Sequence, residues 1–483
     1  MTFQYDSDVV AVLTSIAVDL RSNNYESFAS QLTLLGQFIS STSSDEPLRS
    51  ELSNSQKVWN ELVKIISERD IKFPTAEYII PHVRLYRAVL LLIRNLIISA
   101  ENQQAIGIEI VNDLDYFIDV FPHDNEFYSK TLLVYFQILA NISHDTWEHG
   151  SNNKAMIVQV NSILHRLEDE ILVLELPLVH FLVRLFQSKT EDETHHNLNL
   201  YNLLKINKNS VCDFLVKSFH QIEDFESLSL AQALLVDLLF ELITHESFGH
   251  WLNIQQDSDN FIPWLKLNQL LITSKQDWNN YQITALLSWD YEFFVRYSEM
   301  STKIIEEEKW DNKIEMISII SIDILSDLCK YEQAIQFLRH YDVITPLIKF
   351  LRVVHENIKP ITIKDREQNS VQPKQKKYPH IKSLLIEVIA YISHESFETQ
   401  EKVRELHGLE LILSSCIIDE NNPFVKERAI VCLKFLLANN LGNQKFVRDL
   451  EAKSSVDDEV LKDVGLEVEI ENGKVSLKKN PTK

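Results

Sequence analysis

Glycine is the residue whose scarcity most constrains this chain, because only 8 glycines occur among its 483 residues. At average usage, a chain of this length would contain roughly 34 glycines. Tight turns, Gly-rich phosphate loops and dinucleotide-binding turns need glycine where φ is positive or where no side chain fits. Folds built on such turns are therefore disfavoured, and long helices joined by short polar turns remain.

Apolar residues recur at helical spacing along most of the sequence. In the run 89–97, for example, Val89, Leu92, Ile93 and Leu96 would share one helix face. Many such segments are apolar on more than one face, as a helix requires when neighbours cover two of its sides. Because 483 residues exceed the size of one ordinary core, a stack of repeats is favoured. The sequence predicts an all-α, armadillo- or HEAT-like, right-handed superhelical solenoid.

Two short phrases recur and indicate repeats. The first ends a helix with Ile, Ser or Thr, His, an acid, a hydroxyl residue and an aromatic residue, at 142–147, 243–248 and 392–397. We expect its hydroxyls to satisfy free backbone groups and its aromatic residue to pack under the next repeat. The second phrase places glutamine in the polar turn after a long helix. Its copies at Gln400 and Gln444 lie 44 residues apart, within the roughly 40–47 residues of HEAT and armadillo units.

Changes in composition divide the chain into four parts. Residues 1–355 are predicted to form N-terminal armadillo-like repeats, and residues 356–378, which have no apolar period, a polar mobile loop. Residues 379–453 are predicted to form the C-terminal repeats, and residues 454–483 form a tail. The sequence leaves open whether the loop is regulatory.

The tail predicts a β-hairpin over residues 466–478, because Asn-Gly at 472–473 separates two segments of alternating polarity. Pairing around that turn sets Ile470 opposite Val475 and makes one face of the hairpin apolar. An isolated hairpin is marginally stable in water. We therefore expect the apolar face to dock on the last helices as a small C-terminal cap of the stack.

The net charge of −23 and the sequence pI of about 5.1 argue against nucleic-acid binding, which needs a basic surface. An acidic surface suits a basic protein partner instead. The apolar runs are interrupted too soon to span a bilayer, and the first residues lack the pattern of a secretory signal. We expect a cytoplasmic protein that binds protein partners. We expect it neither to bind nucleic acid nor to insert into a membrane, and the sequence leaves its oligomeric state open.

Residues that could serve metal binding or catalysis are sparse or wrongly spaced. His245 and His250 are five positions apart, whereas the zinc-binding His-Glu-x-x-His helix places its histidines four apart. His195 and His196 lie beside acidic residues in a segment typical of a solvated loop. The four cysteines are far apart in sequence, which favours buried thiols over a soft copper site. No cofactor and no catalysis are expected, and a metal-handling protein or an unrecognised enzyme are the alternatives.

The C-terminal repeats carry a distinctive motif, which reads Asp-Glu-Asn-Asn-Pro-Phe-Val-Lys-Glu at 419–427 and is followed by Asn-Gln at 443–444. With Gln-Glu-Lys-Val-Arg-Glu-Leu-His-Gly-Leu at 400–409, it resembles the C-terminal domain of the ataxin-10 family, armadillo-repeat proteins whose yeast members have also carried a copper-transport label. The resemblance implies a scaffold that regulates cytokinesis or cytoskeletal signalling. Its motif residues are Asn421, Asn422, Pro423, Phe424, Glu427, Asn443 and Gln444.

The local chemistry of that motif predicts a repeat boundary. Residues 419–422 would supply a helix N-cap, and Pro423 would occupy the first helical position. Glu427 would then lie in the first turn, where a negative charge is favourable. Alternatively, Glu427 contacts a partner.

Armadillo proteins that bind extended peptides resemble one another in a ladder of asparagines on the third helix of each repeat, with Trp four positions earlier. The corresponding positions here hold Asn95, Asn141, Glu241, Asp327, Tyr391 and Phe435. Because that ladder is absent, extended basic peptides are not expected as ligands, and the partner is predicted to be a folded protein. The candidate contact residues are Asn95, Asn141, Glu241, Asp327 and Glu427.

Aromatic residues are concentrated between residues 251 and 310, which hold five of the seven tryptophans. Aromatic side chains are enriched in interface hot spots, but large cores use them as well. We favour core packing for this segment, with a partner surface as the alternative.

Overall fold

The computed structural model is helical along most of its length. It describes residues 5–22, 24–68, 76–123, 126–143, 146–147, 153–167, 171–187, 197–361, 377–450, 466–471 and 474–479. For Tyr5, for Ala76, for residues 171–175 and for the two strands, only the backbone is described.

The first half of the described chain contains α1 (Tyr5–Ser22), α2 (Phe28–Ser44), α3 (Glu46–Ser53), α4 (Gln56–Ile66), α5 (Ile79–Leu96), α6 (Gln103–Val120), α7 (Glu126–Asn141), α8 (Asn153–Arg166), α9 (Ile171–Phe186), α10 (Leu198–Leu204), α11 (Ser210–Phe219) and α12 (Leu230–Ile243). The second half contains α13 (Phe248–Ile254), α14 (Phe261–Ser274), α15 (Asn280–Glu306), α16 (Asn312–Leu328), α17 (Glu332–His340), α18 (Ile344–Asn357), α19 (Ile381–Ser393), α20 (Phe397–Glu405), α21 (Gly408–Ser414), α22 (Val425–Leu437) and α23 (Leu441–Asp449). Short 3-10 helices occupy Tyr25–Ser27, Ala76–Tyr78, Ile97–Ser99 and Gln255–Asp257.

Several helices begin where the sequence supplies a capping side chain. Asn209 caps α11 by accepting a hydrogen bond from the N–H of Cys212 at 3.0 Å. Ser229 and Gln232 form a capping box at the start of α12, in which each side chain accepts from the backbone of the other residue. Such caps satisfy N–H groups that have no partner within the helix.

The side-chain amide of the recurring glutamine donates a hydrogen bond to a carbonyl at the C-terminal end of the preceding helix. The Nε2 of Gln400 donates to the carbonyl of Ser393 at 3.3 Å. The Nε2 of Gln444 donates to the carbonyl of Leu437 at 2.8 Å. Because the last carbonyls of a helix lack partners within it, each amide satisfies a group that the turn would otherwise leave unpaired.

The motif that recurs at 142–147, 243–248 and 392–397 is predicted to satisfy backbone groups through its hydroxyls and to bury its aromatic residue. The structure agrees for the hydroxyls but not for every aromatic residue. Ser396 Oγ accepts from the N–H of Thr399 at 3.4 Å and caps α20. Trp147 and Phe248 are fully buried, whereas Phe397 is 62% exposed. The prediction that the aromatic residue is packed is therefore wrong for Phe397. The reason is that α20 buries Thr399, and residues two positions apart lie about 200° apart around an α-helix.

Contacts divide the chain into two compact units, Met1–Leu267 and Asn268–Lys483. In the first unit, α2, α5, α7, α9 and α12 pack side by side in sequence order. These five helices are referred to below as the long-helix row. A second row of the same unit contains α1, α4, α6 and α8. Each inner helix of the long-helix row has neighbours on two sides, which explains why such segments are apolar on more than one face.

The second unit also builds its core from consecutive long helices. α15 packs against α16 and α18, and α16 packs against α19. α19 in turn packs against α18 and α22, and α22 contacts α21 and α23. The motif at 419–427 therefore lies at the start of a helix that packs against α19.

Four of the five tryptophans between residues 251 and 310 lie in the core. Trp251, Trp264, Trp278 and Trp289 are at most 5% exposed, whereas Trp310 is 42% exposed. The rings of Trp251 and Trp264 pack edge to face, with centroids 5.2 Å apart. Core packing is confirmed for these four residues.

The tail contains two antiparallel strands, β1 (Leu466–Glu471) and β2 (Lys474–Lys479). Their register pairs Ile470 with Val475, as the position of Asn-Gly in the sequence predicts. The docking of this hairpin on the last helices stays a prediction. Among the helices described above, none combines the length and apolar character that a membrane span requires.

Candidate protein-interaction sites

Asp419 is the centre of a buried polar network and does not cap α22 as predicted. Asp419 is 5% exposed, and its Oδ1 accepts hydrogen bonds from the N–H groups of Ile361 and Asn421, each at 2.9 Å. Its Oδ2 accepts from the Nδ2 of Asn422 at 2.8 Å. One carboxylate thus joins the turn before α22 to the segment after α18.

The two asparagines of the motif join the same turn to the start of α19. Asn421 Nδ2 donates to the carbonyl of Lys377 at 2.8 Å. Asn422 Oδ1 accepts from the N–H of Lys382 at 2.8 Å. Both asparagines are at most 2% exposed. The motif therefore fixes both ends of the predicted loop, of which residues 362–376 lie outside the described residues.

A buried lysine completes this network. Lys382 is 4% exposed, and its Nζ donates to the carbonyl of Ile358 at 2.8 Å. Burial lowers the pKa of Lys382, and the negative charge of Asp419 acts in the opposite direction. Removing the carboxylate would leave a buried ammonium without its counter-charge.

Phe424 is held exposed at the end of the motif. α22 begins at Val425, so the prediction that Pro423 occupies the first helical position is wrong. The N-cap is Phe424, which has a φ of 63° and makes no capping hydrogen bond through its side chain. The predicted caps, residues 419–422, are engaged with the two loop ends instead. Positive φ is rare for a phenylalanine and costs about 1–3 kcal/mol, yet the ring of Phe424 is 71% exposed.

A second large apolar side chain is exposed just before the network residues in the sequence, whereas Phe424 follows them. Ile418 directly precedes Asp419 and is 62% exposed. We refer to Ile418 and Phe424 together as the motif surface. Asn443 and Gln444 have a structural role, since Asn443 is fully buried and its Nδ2 donates to the carbonyl of Leu436 at 2.9 Å.

Glu427 is exposed in the first turn of α22, where its charge is favourable to the helix. The next residue, Arg428, forms an ion pair with Glu387 of α19 at 2.8 Å. Glu387 also accepts a hydrogen bond from the Oγ of Ser326 at 2.8 Å. A polar line therefore connects α22, α19 and α16, and Asp327 lies beside it on α16.

The other candidate contact residues have partners within the fold. Asn95 is 7% exposed, and its Nδ2 donates to the carbonyl of Ile39 on α2 at 3.0 Å. Asn141 Nδ2 donates to the carbonyl of Arg94 on α5 at 3.2 Å. Glu241 is half-buried on α12, while Asp327 forms an ion pair with Lys330. The two asparagines thus hold neighbouring helices of the long-helix row together.

Sequence reasoning missed the arginines of α5, the helix that also contains Asn95. α5 contains Arg84, Arg87 and Arg94 and no Asp or Glu. The available signal was this local excess of positive charge in a chain whose net charge is −23.

Metal ligands do not converge in the described part of the chain, where no group of three or more His, Cys, Asp or Glu side chains could hold an ion. Cys212, Cys329 and Cys432 are buried, and burial raises the pKa of each thiol. A raised pKa disfavours the thiolate that a metal needs. The Nδ1 of His245 accepts from a backbone N–H within its own turn, and His250 is exposed. His195 and His196 lie outside the described residues.

The sequence is similar to one family along nearly its whole length. The family model described as "Spinocerebellar ataxia type 10 protein domain" matches residues 381–478. The chain is 40% identical to the Ataxin-10 homolog of Debaryomyces hansenii over 98% of this chain and 97% of that protein. For the Ataxin-10 homolog of Candida albicans the identity is 34%, over 98% of this chain and 99% of that protein. For that of Saccharomyces cerevisiae it is 28%, over 91% and 89%. The similarity to these relatives therefore extends well beyond the residues 381–478 that the family model matches.

Proposed function

This chain belongs to the ataxin-10 family, and we propose that it is a non-catalytic scaffold whose motif surface binds a partner protein. The supporting observation is a contrast in burial. Asp419, Asn421 and Asn422 are at most 5% exposed, whereas Ile418 and Phe424 beside them are more than 60% exposed. Buried hydrogen bonds fix the backbone on which the two apolar side chains stand. Such a surface loses little conformational freedom when a partner covers it.

The chemistry of Phe424 suits an interface. Aromatic side chains supply large apolar area and are enriched among the residues that dominate binding energy. Exposed apolar groups next to polar ones are typical of protein-binding sites. Nothing in the packing of α22 requires an aromatic ring at Phe424, because this helix buries Val425, Ala429, Cys432 and Leu436.

We place this binding in a right-handed superhelical solenoid of armadillo type, which suits a scaffold because it offers long surfaces to partners. The family resemblance favours a cytoplasmic role in cytokinesis or cytoskeletal signalling. We propose that the partner is a folded protein and that the chain does not bind nucleic acid.

The hairpin is proposed to cap the last repeat. α22 and α23 expose the apolar side chains of Ile430, Val431 and Leu441 at 52%, 46% and 80%. A terminal repeat needs cover on its outer face, and a two-stranded hairpin needs a surface to pack on. Docking β1 and β2 on these helices would meet both needs.

The scaffold proposal is tested with Phe424→Ala and a matched control, Phe397→Ala. Phe397 is a phenylalanine of the same unit that is 62% exposed, but it lies outside the motif. Alanine at position 424 keeps the cost of positive φ, so the substitution removes mainly the ring. The full-length proteins are purified from cells by affinity, and co-purifying proteins are quantified by mass spectrometry. A partner that depends on a hot spot of about 2 kcal/mol should fall roughly 30-fold with Phe424→Ala and stay unchanged with Phe397→Ala.

Two results would contradict the proposal. If the wild-type chain retained no stoichiometric partner, the scaffold role would fail. If Phe424→Ala retained every partner of the wild type, binding would lie elsewhere than on the motif surface. Circular dichroism of each variant checks that it is folded.

A further inference from the structure

Positive charge is concentrated on one part of the long-helix row, although the whole chain has a net charge of −23. Arg84, Arg87 and Arg94 are spaced by three and seven residues, which places them along one face of α5. Arg84 is exposed, and Arg87 and Arg94 are half-buried. The helix therefore presents three guanidinium groups over about 15 Å of its length.

The hydrogen-bond partners of these arginines are neutral groups. Arg94 Nη1 donates to the Oε1 of Gln137 on α7 at 3.0 Å, and its Nε and Nη2 donate to the Oδ1 of Asn95 at 3.4 Å and 3.2 Å. Arg87 Nε donates to the backbone carbonyl of Lys130 at 3.3 Å. Over the described ranges of the chain, neither arginine has an ion pair with a carboxylate. Burial lowers the pKa of Arg94, and the positive charge of Arg87 lowers it further.

Lys130 extends the positive charge onto α7. The guanidinium of Arg84 lies 5.5 Å from the ring centroid of Phe127, and the ammonium of Lys130 lies 5.1 Å from the same centroid. Lys130 also pairs with Glu126 at 3.4 Å, but both side chains are more than half exposed, so water weakens this pair. Arg84, Arg87, Arg94 and Lys130 are referred to below as the basic cluster.

The neighbouring helices do not neutralise this cluster. α2, on one side of α5, contains no charged residue. The acidic residues of the nearby α6 have other partners, since Asp115 and Asp119 both pair with Arg166 of α8. Asp113 of α6 accepts hydrogen bonds from the hydroxyls of Tyr86 and Tyr135. α3 and the 3-10 helix Ala76–Tyr78 also contact α5 and contain Glu46, Glu51 and Glu77, but in the described part of the chain no ion pair joins an acidic side chain to the three arginines.

We propose that the basic cluster binds an acidic segment of a partner protein, with Asp or Glu side chains pairing with Arg87 and Arg94. Gln137 and Asn95 accept from three of the five N–H donors of Arg94, which leaves one N–H on each Nη atom for two parallel hydrogen bonds to a carboxylate. The carbonyl of Lys130 already positions Arg87, and the side chains of Gln137 and Asn95 already position Arg94, so little side-chain freedom is lost on binding. The site is separate from the motif surface and does not depend on it.

The spacing of the cluster defines the segment that it fits. Arg87 and Arg94 lie two helical turns apart, about 10.5 Å along α5. In a polyproline II segment, which has three residues per turn and rises about 3.1 Å per residue, acidic residues three positions apart share one side and are separated by about 9 Å. Nucleic acid carries the same sign of charge, but the net charge of −23 repels a long polyanion. A short acidic peptide is close only to the positive charge of the basic cluster, so the net negative charge of the whole chain repels it less.

Fluorescence anisotropy of the full-length chain tests this site. The probe is a labelled 12-residue peptide with Glu at every third position and Ser elsewhere, compared with the same peptide carrying Lys in place of Glu. Arg87→Gln combined with Arg94→Gln should weaken binding of the Glu peptide at least 10-fold. The control is Arg21→Gln combined with Lys64→Gln, which removes the same charge from two residues that pair with Glu68 and Glu61 on the second row. It should change binding less than 2-fold.

Each other outcome overturns the proposal. Equal loss in the control would mean non-specific attraction, and equal binding of the Glu and Lys peptides by the wild type would mean no acidic site. Displacement of the Glu peptide by single-stranded DNA at lower concentration than by free Glu peptide would assign the cluster to nucleic acid. Arg84→Gln provides a second variant, since this side chain is exposed and lies over the ring of Phe127. If the double variant does not fold, a loss of less than 2-fold with Arg84→Gln refutes the site.

Discussion

Replacing Asp419 by alanine should strongly destabilise the second unit, because this carboxylate is the centre of the buried network. The substitution removes the acceptor for the N–H of Asn421 and for the Nδ2 of Asn422, both of which are buried. An unsatisfied buried donor costs about 1–3 kcal/mol. The substitution also removes the negative charge near the buried ammonium of Lys382. The lost charge adds to the cost of the unsatisfied donors, and because these effects overlap we expect a loss of about 4 kcal/mol in total.

Hydrogen exchange of the full-length chain, followed by mass spectrometry at increasing urea concentration, measures this loss where it occurs. The free energy of opening should fall for the amides of α19 and α22, which the network joins. Asp277→Ala is the matched control, because Asp277 is an exposed aspartate of the same unit. Substitution at such a surface position should change the free energy by less than about 0.5 kcal/mol.

A second substitution tests the role of the buried charge. Lys382→Met in the Asp419→Ala chain should recover part of the loss, because it removes the ammonium that has lost its counter-charge. A loss below about 1 kcal/mol for Asp419→Ala would refute the network as a stabilising centre. Equal destabilisation by Lys382→Met in both backgrounds would refute the coupling of the two charges.

Three further substitutions or deletions test other parts of the fold. Burial raises the pKa of Asp290 far above 3.8, so its contribution to stability is complete below the unfolded pKa and is lost as pH rises through the folded pKa. Asp290→Asn should therefore raise the melting temperature more at pH 8 than at pH 5, and parallel shifts would contradict this. A Cβ on Gly107 would lie 2.6 Å from the ring of Trp147, whereas one on Gly36 would meet nothing within 4 Å. In urea unfolding, Gly107→Ala should thus cost about 1–3 kcal/mol and Gly36→Ala should gain about 0.5–1 kcal/mol; equal effects would contradict the packing. Deleting residues 466–479 should speed hydrogen exchange in α22 if the hairpin docks there, and unchanged exchange would argue against a cap.

The helices and the strand register could be predicted from the sequence, because both follow from local patterns. The spacing of Val89, Leu92 and Ile93 reflects a face that α5 buries, and the Asn-Gly at 472–473 sets the pairing of β1 with β2. The start of α22 could not be predicted, since Asp419 resembles a cap in sequence but bonds to Ile361, 58 positions away. A local pattern contains no information about such a distant partner.

The surfaces were harder to predict than the helices. The net charge of the chain averages over all residues and therefore hides the basic cluster on α5. The exposure of Phe424 depends on a backbone conformation that the network imposes from three other segments. Proline at 423 suggested an ordinary helix start instead. In both cases the deciding interactions are long-range.

The turn after α19, which the side chain of Gln400 closes, has a consequence for synthesis of this chain on the ribosome. Besides closing α19, the Nε2 of Gln400 donates to the carbonyl of Phe435 at 2.9 Å, and the carbonyl of Gln400 accepts from the Nδ2 of Asn443 at 3.3 Å. A nascent chain that has reached Gln400 therefore lacks the groups that complete its own turn until some 40 further residues have emerged. The turn after α19 is thus completed by the segment that follows it, so we expect the stability of this turn to lag translation by about 40 residues.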